Sequence, residues 1–133
     1  MNSKIVWLLK FQKMVAYGLL AGIVIGSFLP PNDINAMHLP GNDKFIHASA
    51  YMLLTFAFLF SYRKERLAVW WGVVLSLWGM SALIEFFQPI LSPGRERDIL
   101  DLFANTGGIA LGTLLMLLLR HFRYSTLSNK PAE

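Results

Sequence analysis

The chain has 133 residues, of which 55% are hydrophobic, with a formal net charge of +4 and a mean hydropathy of +0.48. A soluble domain of this size has too much surface for its volume to bury so many apolar side chains, so the composition predicts a membrane protein. The absence of cysteine excludes disulfides, thiolate metal sites and cysteine nucleophiles. The basic residues form short clusters between apolar runs, which indicates membrane topology rather than nucleic-acid binding.

Four apolar runs predict an all-α, polytopic membrane protein. A spanning helix needs about 20 mostly apolar residues, and the runs cover 14–29, with 5–9 as an extension, then 45–62, 67–91 and 100–119. Pro30 and Pro31 should end the first run, because proline lacks a backbone donor and disfavours helix in the residue before it. The first run has no good small-x-small cleavage site after it, so we interpret it as a retained helix rather than a signal peptide. We expect one domain over 1–133, an antiparallel four-helix bundle with a flexible tail at 124–133.

The distribution of lysine and arginine predicts the orientation. Nine of the twelve basic residues lie on one side of the predicted spans, and only Lys44, Arg95 and Arg97 lie on the other. Cytoplasmic loops carry an excess of basic residues. Both termini should therefore be cytoplasmic, with Lys44 and the two arginines outside.

Glycines and aromatic residues suggest how the helices are held. Glycine recurs at every fourth position in the first and fourth runs, and such faces let helix backbones approach closely in lipid. The first set is Gly18, Gly22 and Gly26, and the second is Gly108 and Gly112. The same faces are candidate contacts for a homo-oligomer. Near the cytoplasmic boundary, Tyr62, Trp70 and Trp71 are typical of interfacial anchors.

Polar side chains on three of the runs share one depth. Counted at 1.5 Å per residue from the basic clusters that end their helices, His47, Asn105 and Glu85 lie at about 24, 22 and 28 Å. All three fall in the outer third of a hydrocarbon core roughly 30 Å thick. An ionisable side chain that faces lipid costs at least about 2.5 kcal/mol, so these residues should face one another or a wet cavity. Others follow them at helical spacing: Asp43 and Tyr51 with His47, Gln88 with Glu85, and Asp101 with Asn105.

Several roles are open to this polar group. Asp43 and Asp98 are natural helix caps, and His47, Glu85 and Asn105 could form a purely structural network. Alternatively, His47 and Glu85 could act as an acid–base couple, with Arg95 at the rim to hold a phosphate or carboxylate. One His, one Glu and one Asp are a possible metal ligand set, but the sequence has no HExxH or comparable spacing, so we expect no metal site and no cofactor.

The same residues resemble the VanZ-like family of small bacterial membrane proteins. That family shows D-K-x-x-H, then E-x-x-Q, then R-x-x-D-x-x-D-x-x-x-N-x-x-G. These map onto Asp43, Lys44 and His47; Glu85 and Gln88; and Arg95, Asp98, Asp101, Asn105 and Gly108. The resemblance covers about 41–119. It implies a multi-pass protein of the bacterial cytoplasmic membrane, and the association of the family's named member with teicoplanin resistance implies an envelope-related role.

Three functions follow as hypotheses. In the first, the cluster faces outward and binds an anionic lipid headgroup or a lipid-linked envelope precursor. His47 and Glu85 lie at its centre, and the other binding residues are Asp43, Lys44, Tyr51, Gln88, Arg95, Asp98, Asp101 and Asn105. In the second, the protein is a hydrolase or transferase on an envelope lipid, with His47 as general base and Glu85 as its partner. In the third it is a structural scaffold. Most relatives have no assigned reaction, so the resemblance implies no enzymatic activity by itself.

Overall fold

The computed structural model describes residues 3–29, 43–92 and 98–128, with side chains except at position 5 and positions 124–128. These residues contain four α-helices: α1 spans Ser3–Ser27, α2 Asp43–Ser61, α3 Leu67–Leu91 and α4 Ile99–Ser128. The third predicted span has the observed bounds. In contrast, α1 begins earlier and α4 ends later than the apolar runs, because both helices continue through the basic residues that flank them.

Each helix contains a segment long and apolar enough to cross a membrane. The segments are Val6–Phe28, Asp43–Ser61, Leu67–Leu91 and Ile99–Arg123. Many large apolar side chains point away from the bundle, among them Leu53, Leu75, Leu83 and Leu114. An apolar surface of this extent is expected where lipid is the solvent. The predicted all-α fold with four spans is confirmed.

Consecutive helices run antiparallel, so α2 and α4 lie parallel. Gln12 and Tyr17 of α1 contact Arg63 and Phe58, so residue numbers fall along α2 as they rise along α1. Along α2 and α4 the numbers rise together, in the pairs His47–Asn105, Ala48–Gly108 and Met52–Gly112. We call the end with His47 and Asn105 the polar end, and the opposite end, with Arg63 and Arg120, the basic end.

Two glycines allow α2 and α4 to pack backbone against backbone. A Cβ atom on Gly108 would lie 2.1 Å from the carbonyl oxygen of Ala48, and one on Gly112 would lie 2.5 Å from that of Met52. Real Cβ atoms essentially never come this close to a backbone atom. The predicted close approach at these two glycines is confirmed.

The glycines of α1 behave differently. A Cβ atom on Gly18, Gly22 or Gly26 would meet nothing within 4 Å among the described residues. Instead, α1 packs through Ala16, with Leu20 and Ile23 beside it, onto a core formed with α2, α3 and α4. The prediction that this glycine face brings α1 against another helix of the same chain was therefore wrong.

Of two adjacent tryptophans at the basic end, one is buried in the bundle and the other is exposed. Trp70 is only 2% exposed, its Nε1 donates to the carbonyl oxygen of Tyr62 at 2.8 Å, and the guanidinium of Arg120 lies 5.0 Å from its ring centre. Trp70 therefore holds α3 to its neighbours and is not the lipid-facing anchor that the sequence predicted. Trp71, which is 55% exposed, keeps that assignment.

Candidate functional site

Asn105 joins three helices at the polar end. Its Nδ2 donates to Ser81 Oγ at 3.0 Å and to Glu85 Oε1 at 3.2 Å, both on α3. Its Oδ1 lies 3.0 Å from Nδ1 of His47 on α2. Asn105 and Ser81 are fully buried, and Glu85 is 7% exposed. These four residues form the floor of the candidate site.

Ser81 is the residue that sequence reasoning missed. It lies four residues before Glu85 and so on the same face of α3, which is the signal that would have found it. A serine in an apolar helix attracts little attention because its hydroxyl usually bonds to the carbonyl four residues earlier. Here the hydroxyl oxygen accepts a hydrogen bond from Asn105.

Acidic residues and one lysine form the rim above this floor. Lys44 forms ion pairs with Asp98 and with Oδ1 of Asp101. The Asp98 side chain also caps α4 by accepting from the backbone N–H of Leu100 at 2.8 Å, as its position in the sequence predicted. Lys44 and this N–H hold the pKa of the Asp98 carboxyl below its ordinary value.

His47 connects this floor with the rim. While Nδ1 contacts Asn105, Nε2 lies 3.7 Å from Oδ1 of Asp43 and 3.9 Å from Oδ2 of Asp101. The His47 side chain is 16% exposed, compared with 53% for Asp43 and 12% for Asp101. Ligand atoms of these three residues all lie within 4.8 Å of one another, so the group could hold a metal ion.

Gln88 and Tyr51 lie beside the cluster with different contacts. Gln88 is 2% exposed and donates to the carbonyl oxygen of Ser27 at 3.0 Å. It therefore satisfies one of the last carbonyls of α1, which have no donor within their own helix. The buried Tyr51 hydroxyl lies near Ser81. Arg95, the predicted anion-binding residue, lies outside the described residues.

The charges of the described cluster are mainly negative. Asp43, Glu85, Asp98 and Asp101 contribute four carboxyl groups, and Lys44 is the cation paired with two of them. His47 adds a positive charge only when protonated. Most of the predicted residues thus come together, but they form a group that favours a cation more directly than an anion.

The model of the VanZ/LLP1 family matches residues 7–120, which include all of α2 and α3 and most of α1 and α4. No curated protein and no solved structure gave a significant match.

Proposed function

The chain belongs to the VanZ/LLP1 family, and from this premise we propose that its polar end binds an anionic lipid headgroup or a lipid-linked component of the cell envelope. The family membership and the four apolar helices support a membrane protein. The anionic ligand class is part of the proposal: Lys44 is the rim cation that such a headgroup would contact, and a ligand of this class would give the protein an envelope-related role.

One observation carries the proposal: exposure falls from the rim of the cluster to its floor. The side chains of Lys44, Asp98 and Asp43 are 38%, 40% and 53% exposed, whereas Asn105 is completely buried. A network that only locks helices together has no need of charged groups at an exposed rim, since surface ion pairs add little stability. Charged groups at headgroup depth over a rigid floor are what a lipid headgroup would contact.

In the proposed arrangement, the polar end faces the outer side of a bacterial cytoplasmic membrane. The supporting argument is the concentration of lysine and arginine at the opposite end, which includes Arg63, Arg66, Arg120 and Arg123. A lipid would then approach from the outer leaflet, where envelope precursors are processed.

Photo-crosslinking in native membranes tests the proposal. Phe45 is next to Lys44 and is 73% exposed, so a benzoylphenylalanine at this position should fit without disturbing the bundle. The matched control is Phe122, which is 64% exposed at the basic end of the bundle. We expect anionic lipids among the adducts at position 45, and we expect Lys44→Gln to reduce them at that position but not at position 122.

Two results would reject the proposal. One is an adduct composition at position 45 that Lys44→Gln leaves unchanged. The other is an equal response to this substitution at positions 45 and 122, which would indicate a general change in the membrane rather than a lost site.

The floor also favours a structural role, because Asn105 connects α4 with α2 and α3 through three hydrogen-bonding contacts. If the cluster served only as a scaffold, Lys44→Gln would leave the adducts unchanged, whatever its effect on thermal stability. Measuring both quantities on the same variant separates the two functions.

A further inference from the structure

We propose that Asp43, His47 and Asp101 bind a divalent transition-metal ion at the polar end. Both carboxylates lie on the Nε2 side of the imidazole, at 3.7 and 3.9 Å. Asp43 and His47 come from one face of α2, four residues apart, and Asp101 comes from the first turn of α4. The three ligands belong to two helices far apart in sequence, so no short metal-binding motif reveals them.

The bonding of Asn105 determines which nitrogen of His47 is available. The Asn105 amide nitrogen donates to Ser81 and Glu85, so its carbonyl oxygen faces His47. A carbonyl oxygen only accepts, so Nδ1 of His47 carries the hydrogen. In the neutral ring, Nε2 therefore presents its lone pair towards Asp43 and Asp101.

A lone pair facing two carboxylates is unfavourable unless a positive charge lies between them. Lys44 does not supply it, because this lysine pairs with Asp98 and with Oδ1 of Asp101. The second oxygen of Asp101, Oδ2, is the one that faces His47. Each oxygen of Asp101 thus has a separate partner, so this carboxylate can pair with Lys44 and with a cation beside His47 at the same time.

The cation could be a proton on His47 or a metal ion, and the distances favour the metal. A protonated Nε2 would donate to a carboxylate at about 2.7–2.9 Å, which is much closer than the 3.7 and 3.9 Å observed. Around a tetrahedral metal with bonds of about 2.0–2.2 Å, neighbouring ligand atoms stand about 3.3–3.6 Å apart. A rotation of the half-exposed Asp43 would bring its oxygen to that separation.

The ligand types indicate the class of metal. One imidazole nitrogen with two carboxylate oxygens suits Zn²⁺ or Mn²⁺ better than Mg²⁺, which prefers an all-oxygen shell. The contact of Nδ1 with Asn105 matches the usual arrangement in which a metal-binding histidine donates its other N–H to an oxygen. Three protein ligands leave a coordination position open for water or an exogenous oxygen.

Zn²⁺ binding to the purified full chain in detergent, after treatment with a chelator, tests the inference. We expect one ion per chain, at least about 10-fold weaker affinity in His47→Gln and Asp101→Asn, and unchanged affinity in His121→Gln and Glu65→Gln. The two control residues are a histidine and a carboxylate at the basic end. Equal affinity in the wild type and His47→Gln would overturn the inference, as would weaker binding in a control variant alone.

Thermal unfolding provides a second measurement that does not depend on counting ions. Zn²⁺ should raise the unfolding temperature of the wild type and not that of the site variants, because an ion that binds only the folded chain stabilises it. Should the variants at the buried positions fail to fold, Asp43→Asn keeps the inference testable, since this side chain is half exposed. An equal rise in the wild type and Asp43→Asn would contradict it.

The bound ion would also contribute to the proposed lipid binding, and only this part of the inference rests on the proposed function. Bound beside Asp43 and Asp101, it would supply the positive charge that a phosphate headgroup requires. Zn²⁺ binding without the expected adducts at position 45 would reject lipid binding and leave the metal site standing. Adducts that depend on Lys44, in a protein that binds no ion, would reject the metal site and leave lipid binding standing.

Discussion

The substitution Gly108→Ala should separate α2 from α4 and disrupt the polar cluster at the same time. The new Cβ would lie 2.1 Å from the carbonyl oxygen of Ala48, 2.9 Å from its carbon and 3.0 Å from the nitrogen of Met52. All three are backbone atoms, so no side-chain rotation can relieve the contact. The helices must move apart by about 1.3 Å to restore an ordinary separation of 3.4 Å.

This movement reaches the site because His47 and Asn105 lie within one turn of Ala48 and Gly108. Their contact of 3.0 Å would lengthen to about 4.3 Å, beyond hydrogen-bonding distance. We expect the free energy of unfolding to fall by about 1–3 kcal/mol because of overpacking, and by roughly 1 kcal/mol more because the hydrogen bond is lost. Thermal unfolding in detergent, followed by circular dichroism, measures the combined effect as a lower unfolding temperature.

Gly107→Ala is the matched control. A Cβ at Gly107 meets nothing within 4 Å among the described residues, and alanine favours helix over glycine by about 0.8–1.0 kcal/mol. This variant should be as stable as the wild type or more so. If Gly108→Ala unfolds at the same temperature as Gly107→Ala, the reasoning about the α2–α4 contact is refuted.

Three other predictions concern the same end of the bundle. Asn105→Ala should destabilise the fold by about 1–3 kcal/mol for each buried partner that it leaves without a hydrogen bond. An unchanged unfolding temperature would contradict the role of Asn105 in joining three helices. Gln88→Leu should lower the free energy of unfolding by about 0.5–1.5 kcal/mol. It should also speed amide exchange near Ser27, without affecting metal affinity. Because the pKa of Asp98 is depressed in the folded chain, this carboxylate stabilises the fold at pH values above its unfolded pKa of 3.8. The stabilisation is lost as the pH falls through the lower pKa of the folded state. The stability difference between wild type and Lys44→Gln should therefore shrink on acidification below about pH 4, and a difference independent of pH would contradict the role of this ion pair.

The sequence predicted the membrane fold well because the signals are local. Apolar length identified four spans, and helical spacing together with depth placed His47, Glu85 and Asn105 in one group before any contact was known. Gly108 and Gly112 were also recognised correctly, since their four-residue spacing is a direct requirement of close packing. The resemblance to VanZ-like proteins over 41–119 pointed to the same positions, and the family match extends to residues 7–120.

Other features depend on which helix faces which, and a single sequence does not contain that information. Gly18, Gly22 and Gly26 have the same spacing as the glycines of α4, yet they meet no described neighbour. Trp70 and Trp71 are adjacent and chemically identical, but only the first is turned into the bundle. Similarly, Asp101 could be assigned to the cluster by its depth, but the division of its two oxygens between Lys44 and His47 needs the packed structure.

The parallel contact of α2 with α4 has a consequence for synthesis in the membrane. Ala48 and Met52 pack against Gly108 and Gly112, so their partners emerge from the ribosome about 60 residues later. At about 5–20 residues per second, α2 therefore waits roughly 3–12 s for α4. During this interval Lys44 and His47 lack the α4 partners that they have in the finished bundle. A membrane chaperone or insertase that shields polar groups in partly inserted chains would act on this protein at the stage when three of the four helices have been made.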